Sequence, residues 1–152
     1  MKTILYVEDE PDDVFFMERA FTKTRVDARL MPVPNGAEAV AYLAGDGRYH
    51  DREEFPLPDL ALLDLNMPQK NGFDVLKWIR ATPHVCNLPV MVLTSSNNEA
   101  DRERSARLGT NAYVVKPSQP EKLTDVVRAF AEYWLGDGQS ISGTPRPAPE
   151  DL

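Results

Sequence analysis

The chain has 152 residues, 42% hydrophobic and 27% charged, a balance that suits one folded domain and is too apolar for wholesale disorder. Lys and Arg number 17 against 24 Asp and Glu, a net charge of −7, which argues against a nucleic-acid binder that needs cations set against phosphates. A single cysteine, Cys86, excludes an internal disulfide, and apolar runs of about six residues fall far short of the ~20 of a membrane-spanning helix.

Five short apolar runs alternate with helical patterns. Met1-Lys2-Thr3-Ile4 leads straight into a strand with no cleavable signal, so the expected setting is the cytoplasm, without membrane or nucleic acid. Ile4 to Val7 reads as a strand buried on both faces. Pro11 fits a first helical position, and Asp12 and Asp13 complement the positive end of the helix dipole. Arg29 to Val33 is a weaker strand whose Pro32 lacks a ladder donor, which assigns it to a sheet edge. Gly45 to Pro58 is a long polar loop, either a surface insertion or a functional segment.

Leu60 to Leu63 is the third strand. Asn71 fits the N-cap of a helix to about Ala81, with Pro83 just beyond it. Val90 to Leu93 is the fourth strand, and Ala100 to Leu108 is a polar helix stopped by Gly109. After the fifth strand, Ala112 to Val115, residues Leu123, Val126, Val127, Phe130 and Trp134 repeat at the spacing of one apolar helix face. Beyond Leu135 no periodicity survives, so a domain over 1–135 is expected to be followed by a disordered tail over 136–152.

Alternating strands and helices with short connections predict an α/β fold, a doubly wound parallel sheet. The order 2-1-3-4-5 puts the proline-bearing strand at an edge. Ligands of such sheets bind beyond the carboxyl ends of the strands. There the first strand runs into Glu8 and Asp9, the third into Asp64, the fourth into Thr94 and the fifth into Lys116. Singly each suits a cap or a turn, but four strand ends converging on one rim point to a site.

Three carboxylates on that rim repel, since two unit charges 4 Å apart interact at roughly 4 kcal/mol for an effective dielectric near 20. Either a hard divalent cation such as Mg²⁺ relieves them or one carboxyl is protonated. With such a cation, a carboxylate attacks a phosphoryl group and keeps it as an aspartyl-phosphate. Lys116 and Thr94 supply the cation and the hydroxyl that the spread negative charge needs.

At these residues the sequence resembles the receiver domain of two-component response regulators. The resemblance is carried by Ile4-Leu5-Tyr6-Val7-Glu8-Asp9, Leu62-Leu63-Asp64-Leu65-Asn66-Met67-Pro68 with Asn71-Gly72, Val92-Leu93-Thr94-Ser95, and Ala112-Tyr113-Val114-Val115-Lys116-Pro117, in the family's order and spacing. The long loop and the lack of an output domain look most like stand-alone regulators that partner phytochrome-type histidine kinases. The resemblance implies a flavodoxin-like receiver fold with Asp64 as phosphoacceptor. Asp9, Asp64 and the Asn66 carbonyl would hold Mg²⁺, with Glu8 acting through a water. Thr94 and Lys116 would grip the phosphoryl oxygens. It further implies a cis Lys116–Pro117 peptide, and Tyr113 as an aromatic switch that follows Thr94. The implied partner is a histidine kinase, and a homodimer is one of the outputs left open.

Two other functions compete. A Mg²⁺-dependent phosphatase with an aspartate nucleophile needs a second carboxylate two residues on, where this chain has Asn66, an amide that shuttles no proton. A scaffold that is never phosphorylated gains nothing from crowded carboxylates. His50 and His84 lack ligand spacing and read as surface, Cys86 as a spectator and Trp78 as partial core. Val14, Phe15, Phe16 and Met17 are too many apolar residues for one helix stripe, so at least one is expected to be exposed. Arg102, Arg104 and Arg107 read as a solvated face.

Overall fold

In a computed structural model, which describes residues 1–67 and 71–135, all five apolar runs are strands. They are β1 (Lys2–Val7), β2 (Ala28–Val33), β3 (Leu60–Leu63), β4 (Val90–Thr94) and β5 (Ala112–Val115). The helices are α1 (Pro11–Thr24), α2 (Gly36–Ala44), α3 (Gly72–Ala81), α4 (Glu99–Arg107) and α5 (Leu123–Phe130), the last continuing into a π-turn over Ala131–Leu135. Every strand pairing is parallel, and the order is β2-β1-β3-β4-β5, as the alternation predicted. Pro32 sits on the edge strand opposite Tyr6, where its missing N–H needs no outer partner.

Alternation along the strands divides the core into two layers. Leu5, Val7, Ala61, Leu63 and Val90 face α2 and α3, meeting Tyr42, Leu43, Val75, Leu76 and Ile79. Ile4, Tyr6, Leu60, Leu62, Met91 and Leu93 face α1 and α5, meeting Met17, Phe21, Leu123, Val127 and Phe130. β1, β3 and β4 are buried on both faces, which is why they read as uninterrupted apolar runs. Phe15 is the exposed member of the α1 quartet, Met17 is fully buried, and Trp78 packs against the rim of the α2–α3 layer.

Helix α4 differs from the others. Among its residues only Ser105 is buried, and it lies against β5 as a polar lid rather than an apolar plank. Arg102, Arg104 and Arg107 are exposed, as expected of a solvated face, and two of them also cover aromatic rings. Arg102 stacks 4.6 Å over the Tyr113 ring and Arg104 lies 4.1 Å over Phe73, because the guanidinium plane covers an aromatic face while remaining hydrated at its edge.

The long α2–β3 connection is packed by its own residues. The Tyr49 ring is buried against Tyr42 and Phe55 at 5.1 Å from each, and Arg52 donates to the carbonyls of Tyr42, Leu43 and Phe55. That arrangement is a compact surface loop closed by aromatic contacts. The expected tail, 136–152, lies outside the described residues, as does Pro68 of the Asp64 segment.

Candidate functional site

The backbone ladder continues one step past the strands and sets the site residues in register. Glu8 N–H donates to the Val33 carbonyl, Asp64 N–H to Val7 and Lys116 N–H to Thr94, at 3.0, 3.1 and 2.7 Å. Glu8, Asp64 and Lys116 therefore leave the carboxyl edge of the sheet together. Gly72, the first residue of α3, backs onto the end of β3. A Cβ there would lie 2.3 Å from the Asp64 carbonyl oxygen, so only glycine lets the helix start this close to the acidic rim.

Glu8, Asp9 and Asp64 each offer a carboxylate oxygen, all within 4.8 Å of one another. Glu8 and Asp64 are buried and Asp9 is exposed, so the cluster opens to solvent on the Asp9 side. Lys116 reaches in from β5, with Nζ 2.6 Å from Glu8 Oε1, 2.7 Å from Asp13 Oδ2 and 3.4 Å from Asp64 Oδ2. The Asn66 N–H donates to Asp64 Oδ1 at 3.3 Å and orients that carboxylate. Glu8 also accepts from the Tyr6 hydroxyl and from the Glu10 N–H.

Burial of Glu8 raises its carboxyl to about 7; the hydrogen bond from Lys116 opposes this and the Asp64 charge adds to it. For Lys116, burial works against the charge, but hydrogen bonds to Asp13 and Glu8 and the nearby Asp64 outweigh it. The ammonium is held above its ordinary range and stays charged. Burial, then Glu8, pushes the Tyr6 phenol up, keeping it a neutral donor. Four carboxylates (Glu8, Asp9, Asp13, Asp64) thus stand near one ammonium. Hard oxygen donors with excess negative charge fit a divalent cation of the magnesium or manganese type.

Thr94 ends β4, fully buried, and its Oγ1 accepts from the Ser96 N–H at 3.4 Å. Tyr113 lies on β5, an edge strand, and faces α4 rather than solvent. Its ring packs beside Leu65, Phe73 and Val92, and its hydroxyl donates to the Ser96 carbonyl at 2.9 Å. Ser96 Oγ in turn donates to Asp101 Oδ2 of α4 at 2.7 Å. Ser96 therefore touches Thr94, Tyr113 and α4 at once.

The structure gathers Glu8, Asp9, Asp64, Asn66 and Lys116, with Thr94 and Tyr113 joined through Ser96. One expectation is overturned. No described peptide bond is cis, so Lys116–Pro117 is trans. The long lysine stem reaches three carboxylates from a trans peptide, the lower-energy isomer by about 0.5–1 kcal/mol at X–Pro bonds. Sequence reasoning missed Asp13 and Ser96. Asp13 was legible as the third residue of a helix starting just past β1, close enough to turn back over the strand end. Ser96 carried no local signal, because its partners come from three separate segments.

The response regulator receiver domain family matches residues 4–128. Response regulator Rcp1 of Synechocystis sp. is 37% identical over 134 residues, which span 88% of this chain and 89% of Rcp1. Among solved structures, the phosphorylated cyanobacterial phytochrome response regulator RcpA is 36% identical with a TM-score of 0.84, covering 93% of this chain and 99% of its own. The Mn²⁺-bound form of Rcp1 is 34% identical with a TM-score of 0.81, covering 96% and 100%. Receiver domains bind a divalent metal and partner histidine kinases, and the acidic cluster here has the donors for such an ion. The chain belongs to the response regulator receiver domain family, the phosphoryl-accepting modules of two-component signalling.

Proposed function

We propose that Asp64 is the phosphoacceptor and that residues 1–135 form the receiver unit. The observation that carries this is the convergence of a buried aspartate, two further carboxylates and a charged lysine at the carboxyl ends of parallel strands of one sheet. An Asp64 oxygen attacks the phosphorus of a phosphohistidine, the P–N bond breaks and the imidazole leaves with its electron pair and takes up a proton. Lys116 meets a phosphoryl oxygen with its ammonium, and the Thr94 hydroxyl donates to another. Asp9, Asp64 and the Asn66 carbonyl, with Glu8 through a water, would hold Mg²⁺, which when bound neutralises phosphoryl charge. Beyond this self-phosphorylation and its slow hydrolysis no enzymatic turnover is assigned.

When Thr94 moves toward the phosphoryl group, the Ser96 segment bonded to it carries the change to Tyr113 and α4, a two-state population shift. The likeness to RcpA and Rcp1 supports a phytochrome-type histidine kinase as donor, acting in the cytoplasm, with partner binding or self-association as output. Among the described residues no helix is long and apolar enough to cross a membrane.

Acetyl phosphate with Mg²⁺ should add one acid-labile, hydroxylamine-sensitive phosphoryl group, read by intact mass. Asp64→Asn should abolish it. An adduct that persists in that variant would remove the assignment.

A further inference from the structure

The ammonium that faces Asp64 is held more closely by two other carboxylates. Two of its contacts are at full hydrogen-bond length, to Glu8 at 2.6 Å and Asp13 at 2.7 Å, while Asp64 waits at 3.4 Å. The two short partners are unlike. Glu8 is buried and fixed by Tyr6 and Glu10, and it belongs to the acidic cluster. Asp13 stands outside that cluster, on the first turn of α1, with its side chain 35% exposed and its carboxylate on Lys116.

We propose that Asp13 competes with the phosphoryl group for Lys116, so that the Asp13–Lys116 pair sets how tightly the site keeps a phosphoryl group. This rests on the reading of Asp64 as phosphoacceptor and deepens it. Glu8 already anchors the lysine from a rigid, buried position, so Asp13 adds little to its aim. What Asp13 adds is a second anion sharing the same charge. A phosphoryl group on Asp64 brings its oxygens to the side of the ammonium where the contact is now longest. Gaining it draws Nζ away from Asp13, and whatever the Asp13 pair contributes is subtracted from phosphoryl binding. Because Asp13 is partly solvated, that subtraction is modest and tunable, which suits control of a lifetime better than an all-or-none gate.

The test uses beryllofluoride with saturating Mg²⁺, a mimic of the phosphoryl group on an aspartate, titrated by calorimetry into the full chain. Asp13→Asn keeps the shape and removes the charge, and should bind about two- to fivefold more tightly than wild type, the upper part of the range expected for one partly exposed ion pair. Asp12→Asn makes the same charge change on the same exposed turn and should leave affinity unchanged. Asp13→Glu restores the anion and should return affinity toward wild type. Asp13→Ala, with a melting curve to show that it folds, should repeat the gain of Asp13→Asn. Unchanged or weaker binding in Asp13→Asn overturns the competition, as does an equal gain from Asp12→Asn, which would reduce the effect to net charge. Wild-type protein that takes up no beryllofluoride would instead remove the acceptor reading itself, and this inference with it.

Discussion

Lys116 and Arg80 reach into opposite ends of the sheet, and their partners differ in kind. Lys116 at the carboxyl edge is met by the carboxylates of Glu8, Asp13 and Asp64. Arg80, at the end of α3, is met by neutral oxygens. It donates to Gly109 through Nε and Nη2, to Cys86 and Leu88 through Nη1, and to Asn111 Oδ1, which also accepts from the Val90 N–H. Its planar fork ties the end of α3 to the turns that lead into β4 and β5. Burial lowers the Arg80 pKa because no carboxylate offsets the desolvation, whereas Lys116 is held up by its anions. Backbone carbonyls stay where the fold puts them, so Arg80 is a staple. Carboxylates in excess of their counter-charge accept a substitute, so Lys116 belongs to a site.

The two regions should therefore respond in opposite ways to losing a charge. Arg80→Met leaves five hydrogen bonds unmade and should lower stability by about 2–3 kcal/mol in urea melts, with labelling by acetyl phosphate intact. A silent Arg80→Met would break the contrast. Mg²⁺ at a hundred times its Kd should raise stability by about 2.7 kcal/mol through linkage, and a melt indifferent to Mg²⁺ would remove the cation site. Without metal, Asp64→Asn should stabilise by about 1 kcal/mol by thinning the crowded anions, and a loss on that substitution would show the cluster to be structural.

The pH dependence of Glu8 tests the same cluster by protonation. Its folded carboxyl titrates near 7 against an ordinary 4.5. Between those values the folded protein keeps a proton that the unfolded chain has released. Metal-free stability should thus be fully felt below about pH 4.5 and fall as pH rises to about 7. A metal that needs the ionised carboxylate should bind more weakly as pH drops below about 7. Urea midpoints in chelator across that window give the slope, and Glu8→Gln should flatten it. A rise in place of the fall would reverse the assignment.

Much of this was legible beforehand. The strand order followed from Pro32 and the βα alternation, and Asn71 is an N-cap whose side chain accepts from the Asp74 N–H. The clustering of Glu8, Asp9 and Asp64 with Lys116 followed from the rule that ligands gather at the carboxyl ends of parallel strands. The cis Lys116–Pro117 peptide did not follow, because it was carried over from a family habit and not from anything local to these residues. Arg102 and Arg104 read as a solvated face and are exposed, but a polar helix gives no hint of the rings they cover.

What the sequence determined by itself is local or periodic: which segments are strands, where helices start and stop, and which reactive residues end each strand. Those outcomes depend on side-chain period, caps and ring constraints within a few residues. What only the tertiary structure decided are the pairings between segments distant in the chain. Asp13 meets Lys116 across 103 positions, and Arg80 meets Asn111 across 31. Such contacts depend on how helices settle against the sheet to within an ångström, and a linear pattern carries no distance of that kind.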